Sequence, residues 1–423
     1  MRTWKPLNGT HSHDLLLFLL QLSVMLTVAL TFGQLIRRLH QPPVLGELIG
    51  GILIGPTVLG SFAPSLHSWL FPLNSGIIQA REAVIRIGML FFLFVAGLEI
   101  NLTHLRRKRW SVLCISLFGC LLPFSLGSGS VFLFPNLWRQ SEQASLLTFA
   151  LFIGTALSIS ALPVISRILI DLRLLQHELG VVILSAATID DLIGWSLFAV
   201  LLNGLNGHPL GSRLGMTLAG VLIVSVLIVT LGRWFGRPVL RWVRRSLVWP
   251  SGFLGAIIVL ILVAGAFAEA LGIHAIFGAF LVGVALHHVF EQQEEHAARE
   301  IIHQFALSFF APLYFVSVGL KANFATQFDL PLVLLVILLA TIGKVGGASI
   351  GAWMSKVPRR DGLAIGFGLN ARGAMEIILA SVALDFKLID QRIFVALVTM
   401  ALITTLLSGP ALESLVQPDR SSA

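Results

Sequence analysis

The chain has 423 residues, of which 56% are hydrophobic and 12% are charged, roughly half the charged share of about 25% found in soluble domains. That balance excludes a soluble globular protein and describes an integral membrane protein. The formal net charge of +8 would suit a nucleic-acid partner, but the basic residues fall where membrane topology, not a polyanion, would put them.

Thirteen apolar stretches approach the length of about 20 residues that spans a bilayer as helix: 14–36, 44–62, 83–101, 110–134, 145–170, 180–202, 211–231, 251–268, 272–290, 306–320, 331–352, 362–384 and 392–412. The first follows Arg2 and Lys5, yet it is too long for a signal peptide and lacks a small-residue cleavage pattern, so it is read as segment 1. Segment 4 holds both cysteines, Cys114 and Cys120. Six residues apart, they lie on different faces of one helix and make neither a disulfide framework nor a metal spacing. Apart from residues inside segments such as Arg86, Lys344 and Arg372, Lys and Arg cluster before even-numbered segments, as at Arg106–Arg109, Arg233–Arg245 and Lys356–Arg360. The positive-inside rule then places the N-terminus outside and the C-terminus in the cytoplasm of a cell-membrane protein.

Segment 3 contains Phe92–Leu102, FLFVAGLEINL, and segment 10 contains Tyr314–Phe324, YFVSVGLKANF. Gly97, Leu98 and Asn101 align with Gly319, Leu320 and Asn323, while Gly50, Leu53 and Gly55 of segment 2 align with Gly278, Leu281 and Gly283 of segment 9. An odd number of steps separates the partners, so they run in opposite directions. The expected fold is all-α with about 13 transmembrane helices, in two inverted-topology repeats of six joined by segment 7. Secondary transporters of that construction bind their substrate near the midplane on discontinuous helices. Segment 5, with GTALSISALP ending at Pro163, and segment 12, with GFGLNARG ending at Gly373, are the two expected to be broken and to cross; for segment 5, a simple proline kink is the alternative.

Segment 6 reads GVVILSAATIDDLIGWSLFAVLL and carries Asp190 and Asp191 at its midpoint. Each ionised carboxylate there costs about 2.5–3.5 kcal/mol on insertion scales, a cost met where an acid faces a partner or a water-filled path. Segment 11 carries Lys344 beyond its centre, and pairing with either aspartate would neutralise it. Neighbouring helical residues point about 100° apart, so one acid can meet Lys344 while the other faces a cavity. Alkali cations take oxygen ligands, by the logic of other hard cations, so proton and cation would compete at Asp191 and Asp190; the bland alternative is a buried salt bridge that only joins helices. Thr155 and Ser158, with Ser160, are candidate ion ligands, although back-bonding to the helix is the commoner use of such hydroxyls. Arg372 and Glu376, four apart, can pair on one face as a structural element or a gate. Glu47, Glu99 and Glu269 are expected to be solvated at helix ends, and His287–His288, at the end of segment 9, to be solvated as well, with tuning of a pH response as the alternative.

Gly46–Gly60 (GELIGGILIGPTVLG), Phe94–Glu99 (FVAGLE), Ala268–Gly272 (AEALG), Gly278–Gly283 (GAFLVG) and Asn370–Gly373 (NARG) together resemble the monovalent cation:proton antiporter-2 family across essentially the whole chain. The resemblance implies dimerisation-domain helices at 14–105 and 251–325 and core-domain helices at 106–203 and 326–415. A linker and basic loop at 204–250, an outer N-terminus at 1–13 and a short tail at 416–423 complete the division. It further implies a homodimer in the lipid bilayer and elevator-like motion of the core. Asp191 would bind cation or proton, Asp190 would bridge Lys344 when the site is empty, and exchange would be electrogenic. No cofactor is implied; Na⁺ or K⁺ and H⁺ are the transported ions. Ala371 stands where many relatives have proline, and the chain ends without a soluble nucleotide-binding regulatory domain, which favours a stand-alone sodium/proton exchanger over gated potassium efflux. Potassium/proton exchange is the near alternative. An intramembrane aspartyl protease is the remote one, since those enzymes resemble one another in carrying their acids on separate helices in a Gly-x-Gly-Asp motif absent here.

Overall fold

The computed structural model describes residues 9–39, 41–72, 75–99, 109–139, 145–174, 177–205, 251–270, 275–290 and 296–416, with isolated positions between 228 and 248. Among the described residues all regular structure is helical. The elements are α1 (Gly9–Arg38), α2 (Pro43–Ile54), α3 (Leu59–Phe62), α4 (Pro64–Leu70), α5 (Ser75–Glu99), α6 (Arg109–Leu133), α7 (Pro135–Trp138), α8 (Leu146–Ser158), α9 (Leu162–Asp171) and α10 (Glu178–Leu205). There follow α11 (Ser251–Ala270), α12 (Ala275–Phe290), α13 (His296–Phe305), a π-helical stretch (Ala306–Phe310), α14 (Ala311–Lys321), α15 (Phe324–Gln327), α16 (Leu330–Met354), α17 (Arg359–Leu369), α18 (Ala374–Asp385) and α19 (Gln391–Val416). Every predicted segment but the seventh falls on helix; the seventh lies outside the described residues, as do most of the 204–250 linker and the ends of both termini. Among the described residues, eight helices are long and apolar enough to cross a membrane.

Two predicted starts shift. Segment 3 begins at Ser75, not 83, because a polar first half that hydropathy passes over is still helical: Arg86 pairs with Glu82 at 3.7 Å one turn away, and Arg81 reaches Gln21 at 3.1 Å. Segment 10 is entered through α13 and the π-helical stretch, which widens the turn where Phe305 stacks on Phe309 and Phe310 meets both rings edge-on.

The chain forms two compact units, Met1–Phe92 with Ile301–Thr326 and Leu93–Glu300 with Gln327–Ala423. In the first, α2 and α14 touch backbone to backbone at Gly51 and Gly319, where an added Cβ would strike the Val316 or the Leu48 carbonyl oxygen. In the second, the end of α5 meets α12 through Gly97 and Gly283 in the same manner. Small residues of this kind let membrane helices gain dispersion contacts that lipid tails cannot displace.

The second unit also holds α16 against α6. Gly343, Gly347 and Gly351, spaced by four, face Pro123, Phe118 and Cys114, so one stripe of α16 is bare of side chains and α6 lies along it. That contact fixes Lys344, the neighbour of Gly343, beside Ser116 and Cys120 of α6.

Segments 5 and 12 are interrupted. The chain is extended from Ile159 to Ala161 between α8 and α9, and it leaves helix at Asn370–Gly373 between α17 and α18. Pro163 in the first turn of α9 has no N–H to bond the carbonyl four residues back, while three glycines from Gly366 to Gly373 with Asn370 weaken the other helix. The interruptions meet: the Ala161 N–H donates to the Ala371 carbonyl at 3.1 Å.

Candidate functional site

A helix leaves its last four carbonyls without partners, and where water is scarce each costs several kcal/mol. The end of α8 accounts for all of its own. The Thr155 carbonyl accepts from the Ile159 N–H at 3.3 Å and the Ser158 hydroxyl at 2.9 Å. Arg372 donates to the Ala156, Leu157 and Ile159 carbonyls at 3.0, 2.5 and 3.1 Å, and Lys344 donates to the Ser158 carbonyl at 2.6 Å. Two cations thus cap the negative end of one half-helix, the favourable sense for its dipole.

Lys344 Nζ lies 2.6 Å from Asp190 Oδ2. The same oxygen accepts from the Ser160 hydroxyl at 3.2 Å, and Oδ1 accepts from the Ser116 hydroxyl at 2.6 Å and the Cys120 thiol at 3.2 Å. Asp190 and Lys344 are fully buried and Asp191 is 1% exposed. A carboxylate out of water requires that its lone pairs be met as well as its charge, and Asp190 has four donors. Its neighbour Asp191 points away around α10, so the adjacent acids occupy different surroundings.

Arg372 is the main brace of the crossing. Its own backbone N–H donates to the Thr405 hydroxyl at 3.2 Å, and that hydroxyl donates to the Arg372 carbonyl. Glu376 Oε1 lies 3.4 Å from Arg372 Nη1, a longer contact than those Arg372 makes to α8. The i, i+4 pair expected from sequence is present, but most of the guanidinium is spent on another helix.

Thr155 and Ser158 both sit at the break, buried, with their hydroxyls donating to the Leu151 and Thr155 carbonyls at 2.8 and 2.9 Å; their oxygens keep acceptor capacity. Three residues escaped the sequence reading. Ser116 and Cys120 are four apart and so share a helix face, the one signal that could have found them; Asn370, 1% exposed at the second break, reaches Thr341 at 3.5 Å.

Glu47 is not solvated as expected: it is 7% exposed, packed over Gly33 of α1, because α2 begins at Pro43 and carries it inward. Glu269 is exposed and accepts from the Ala275 N–H at 2.8 Å, whereas the Glu99 side chain lies outside the described residues. His287 is likewise not solvated as expected but buried, with Nδ1 2.5 Å from the Leu98 carbonyl; the His288 side chain lies outside the described residues.

Comparison with known proteins adds an independent line. A family model described as sodium/hydrogen exchanger, transmembrane, matches residues 23–417. Cation/H(+) antiporter 18 of Arabidopsis thaliana is 36% identical over 415 residues, covering 96% of this chain and 49% of that protein, so the chain spans about half the length of such plant relatives. Na(+)/H(+) antiporter NhaS4 of Synechocystis sp. is 32% identical over 408 residues, covering 94% of this chain and 97% of that protein. The structure of the sodium proton antiporter MjNhaP1 from Methanocaldococcus jannaschii superposes with a TM-score of 0.69 at 16% identity, covering 96% of this chain and 100% of that one; at that identity the likeness is one of fold.

Proposed function

Because this chain belongs to the transmembrane sodium/hydrogen exchanger family, we propose that it exchanges a monovalent cation for protons across a membrane by alternating access. Sodium is the first candidate and potassium the alternative. One observation carries the reading: Lys344 binds Asp190 and the Ser158 carbonyl at the end of an interrupted helix, beside a second buried acid, Asp191.

In this mechanism Asp191 is the exchanged site. It takes either a proton or a cation, and oxygens of Thr155, Ser158 and the break replace the cation's water. Asp190 bridges Lys344 when the site is empty. Arg372, with Glu376, holds the end of α8 in place, so the oxygens keep their spacing as the site turns from one side to the other. Exchange is electrogenic. The protease alternative loses its ground, since both acids lie on α10 and the family is one of transporters.

The inverted repeat is supported by the two glycine contacts. Gly97 meets Gly283 in one unit and Gly319 meets Gly51 in the other, which relates segments 3 and 9 as it relates 10 and 2. The register is one helical turn from the sequence alignment, which set Gly283 on Gly55. The division into dimerisation helices (14–105, 251–325) and core helices (106–203, 326–415), the homodimer, and an outer N-terminus with a cytoplasmic C-terminus in the cell membrane belong to the same proposal.

Proteoliposomes test it. Acidic-inside vesicles alkalinise when sodium or potassium is added outside, and Asp191→Ala abolishes the response; an unchanged response in that variant refutes the mechanism. A potential of 100 mV acts with about 2.3 kcal/mol per net charge moved, so an imposed potential changes the rate only if exchange is electrogenic.

A further inference from the structure

At the turn between α16 and α17 the chain reverses within a few residues. The Val357 N–H donates to the Ala352 carbonyl at 2.9 Å and the Lys356 N–H to the Trp353 carbonyl at 3.0 Å, with Lys356 in the left-handed region at φ 60°: a Schellman ending. Pro358 then starts α17 at once. Below the turn the helices close, with Ser349 donating to the Gly362 carbonyl at 3.3 Å. Between that contact and the turn they leave a cavity of about 330 Å³ lined by Ser349, Trp353, Val357, Arg359, Gly362 and Leu363. That is on the order of ten times the ~30 Å³ share of one water.

Two kinds of surface meet there. Trp353, Met354, Ile350 and Leu363 are 68%, 48%, 41% and 41% exposed, an apolar rim with a tryptophan, the residue favoured where hydrocarbon gives way to headgroups. Lys356, Arg359 and Arg360 are exposed beside it, and no described residue forms an ion pair with any of them. Asp361 is the single acid in this turn, so the local balance is positive. A soluble anion would leave the apolar rim unused, and a neutral lipid would leave the cations unused.

We propose that this cleft binds an anionic phospholipid, its phosphate held by Lys356, Arg359 and Arg360 and an acyl chain laid along Trp353 and Leu363. The site rests on the membrane placement of α16 and α17, and is independent of which ion is exchanged. The purified full chain in detergent is titrated with phosphatidylglycerol, phosphatidylcholine or sn-glycerol 3-phosphate. Thermal unfolding and native mass spectrometry follow binding without any ion gradient, so a failure of transport leaves the result untouched. Phosphatidylglycerol alone is expected to raise the unfolding temperature and to remain bound. Each basic residue beside an anionic headgroup contributes about fivefold, so Lys356→Gln/Arg359→Gln/Arg360→Gln weakens retention by roughly a hundredfold. Leu363→Glu, which sets a carboxylate on the exposed rim, also loses the lipid and serves if the triple variant does not fold. Equal stabilisation by phosphatidylcholine, an equal effect of glycerol phosphate, or undiminished retention by both variants overturns the proposal.

Discussion

Lys344 Nζ lies 2.6 Å from Asp190 Oδ2, with both side chains sealed from solvent. Intact, such a pair adds little net stability, because desolvation offsets attraction; removing one partner strands a charge at about 3–5 kcal/mol. Lys344→Met is therefore expected to lower the unfolding temperature sharply, and Asp190→Asn added to it to restore most of the loss. Thermal unfolding of wild type, both singles and the double measures the coupling. A double variant no more stable than Lys344→Met would show that the pair is not the source.

Arg372 donates to three carbonyls that belong to a different half-helix. Hydrogen bonds to a charged group are worth about 1.5–3 kcal/mol each, and a lysine offers one compact donor where arginine offers a fork. Arg372→Lys is expected to keep the fold while weakening apparent cation affinity more than maximal rate; Arg372→Ala loses stability as well. Equal cation affinity in Arg372→Lys and wild type would argue that the cap does not order the site.

Competition at Asp191 sets the sign of the pH response. A cation binds only the deprotonated carboxylate, so the apparent cation KM rises as pH falls, approaching about tenfold per unit once the proton dominates. Initial rates against cation concentration at several pH values check it. A constant KM with a falling maximal rate would point to a proton acting elsewhere, and Asp191→Asn should abolish cation-driven proton flux while the protein still folds.

The glycine stripe of α16 distinguishes neighbours. A Cβ at Gly347 would run into the Phe118 carbonyl oxygen, whereas one at Gly346 would meet the Leu122 Cδ2 atom at 3.5 Å, ordinary contact. Gly347→Ala is expected to cost about 1–3 kcal/mol by overpacking, and Gly346→Ala to be neutral or to gain up to about 1 kcal/mol of helix propensity. Unfolding temperatures of the two variants, measured together, should move apart.

The long apolar segments were readable from hydropathy because the bilayer imposes length on a helix. The two breaks were readable too, since Pro163 and the Gly366–Gly373 cluster act on the backbone locally. The donors to Asp190 were less so. Ser116 and Cys120 lie 74 and 70 residues from it in sequence, and only the packing of α6 on α16 and α10 brings them there. Likewise the i, i+4 spacing of Arg372 and Glu376 was visible, but the reach of the guanidinium to Ala156, Leu157 and Ile159 depends on the crossing of two helices. Glu47 misled because closeness to a helix start does not tell which face a neighbouring helix covers.

The bond from the Ala161 N–H to the Ala371 carbonyl is the kind that joins adjacent strands, a single rung of β-ladder inside a helical protein. Neither unwound stretch can rewind without breaking that rung, so the two interruptions act as one hinge pin instead of two loose joints. The Ala161 amide, in no helix, is then expected to resist deuterium exchange as the helix interiors do. Whatever moves one half of the crossing carries the other with it.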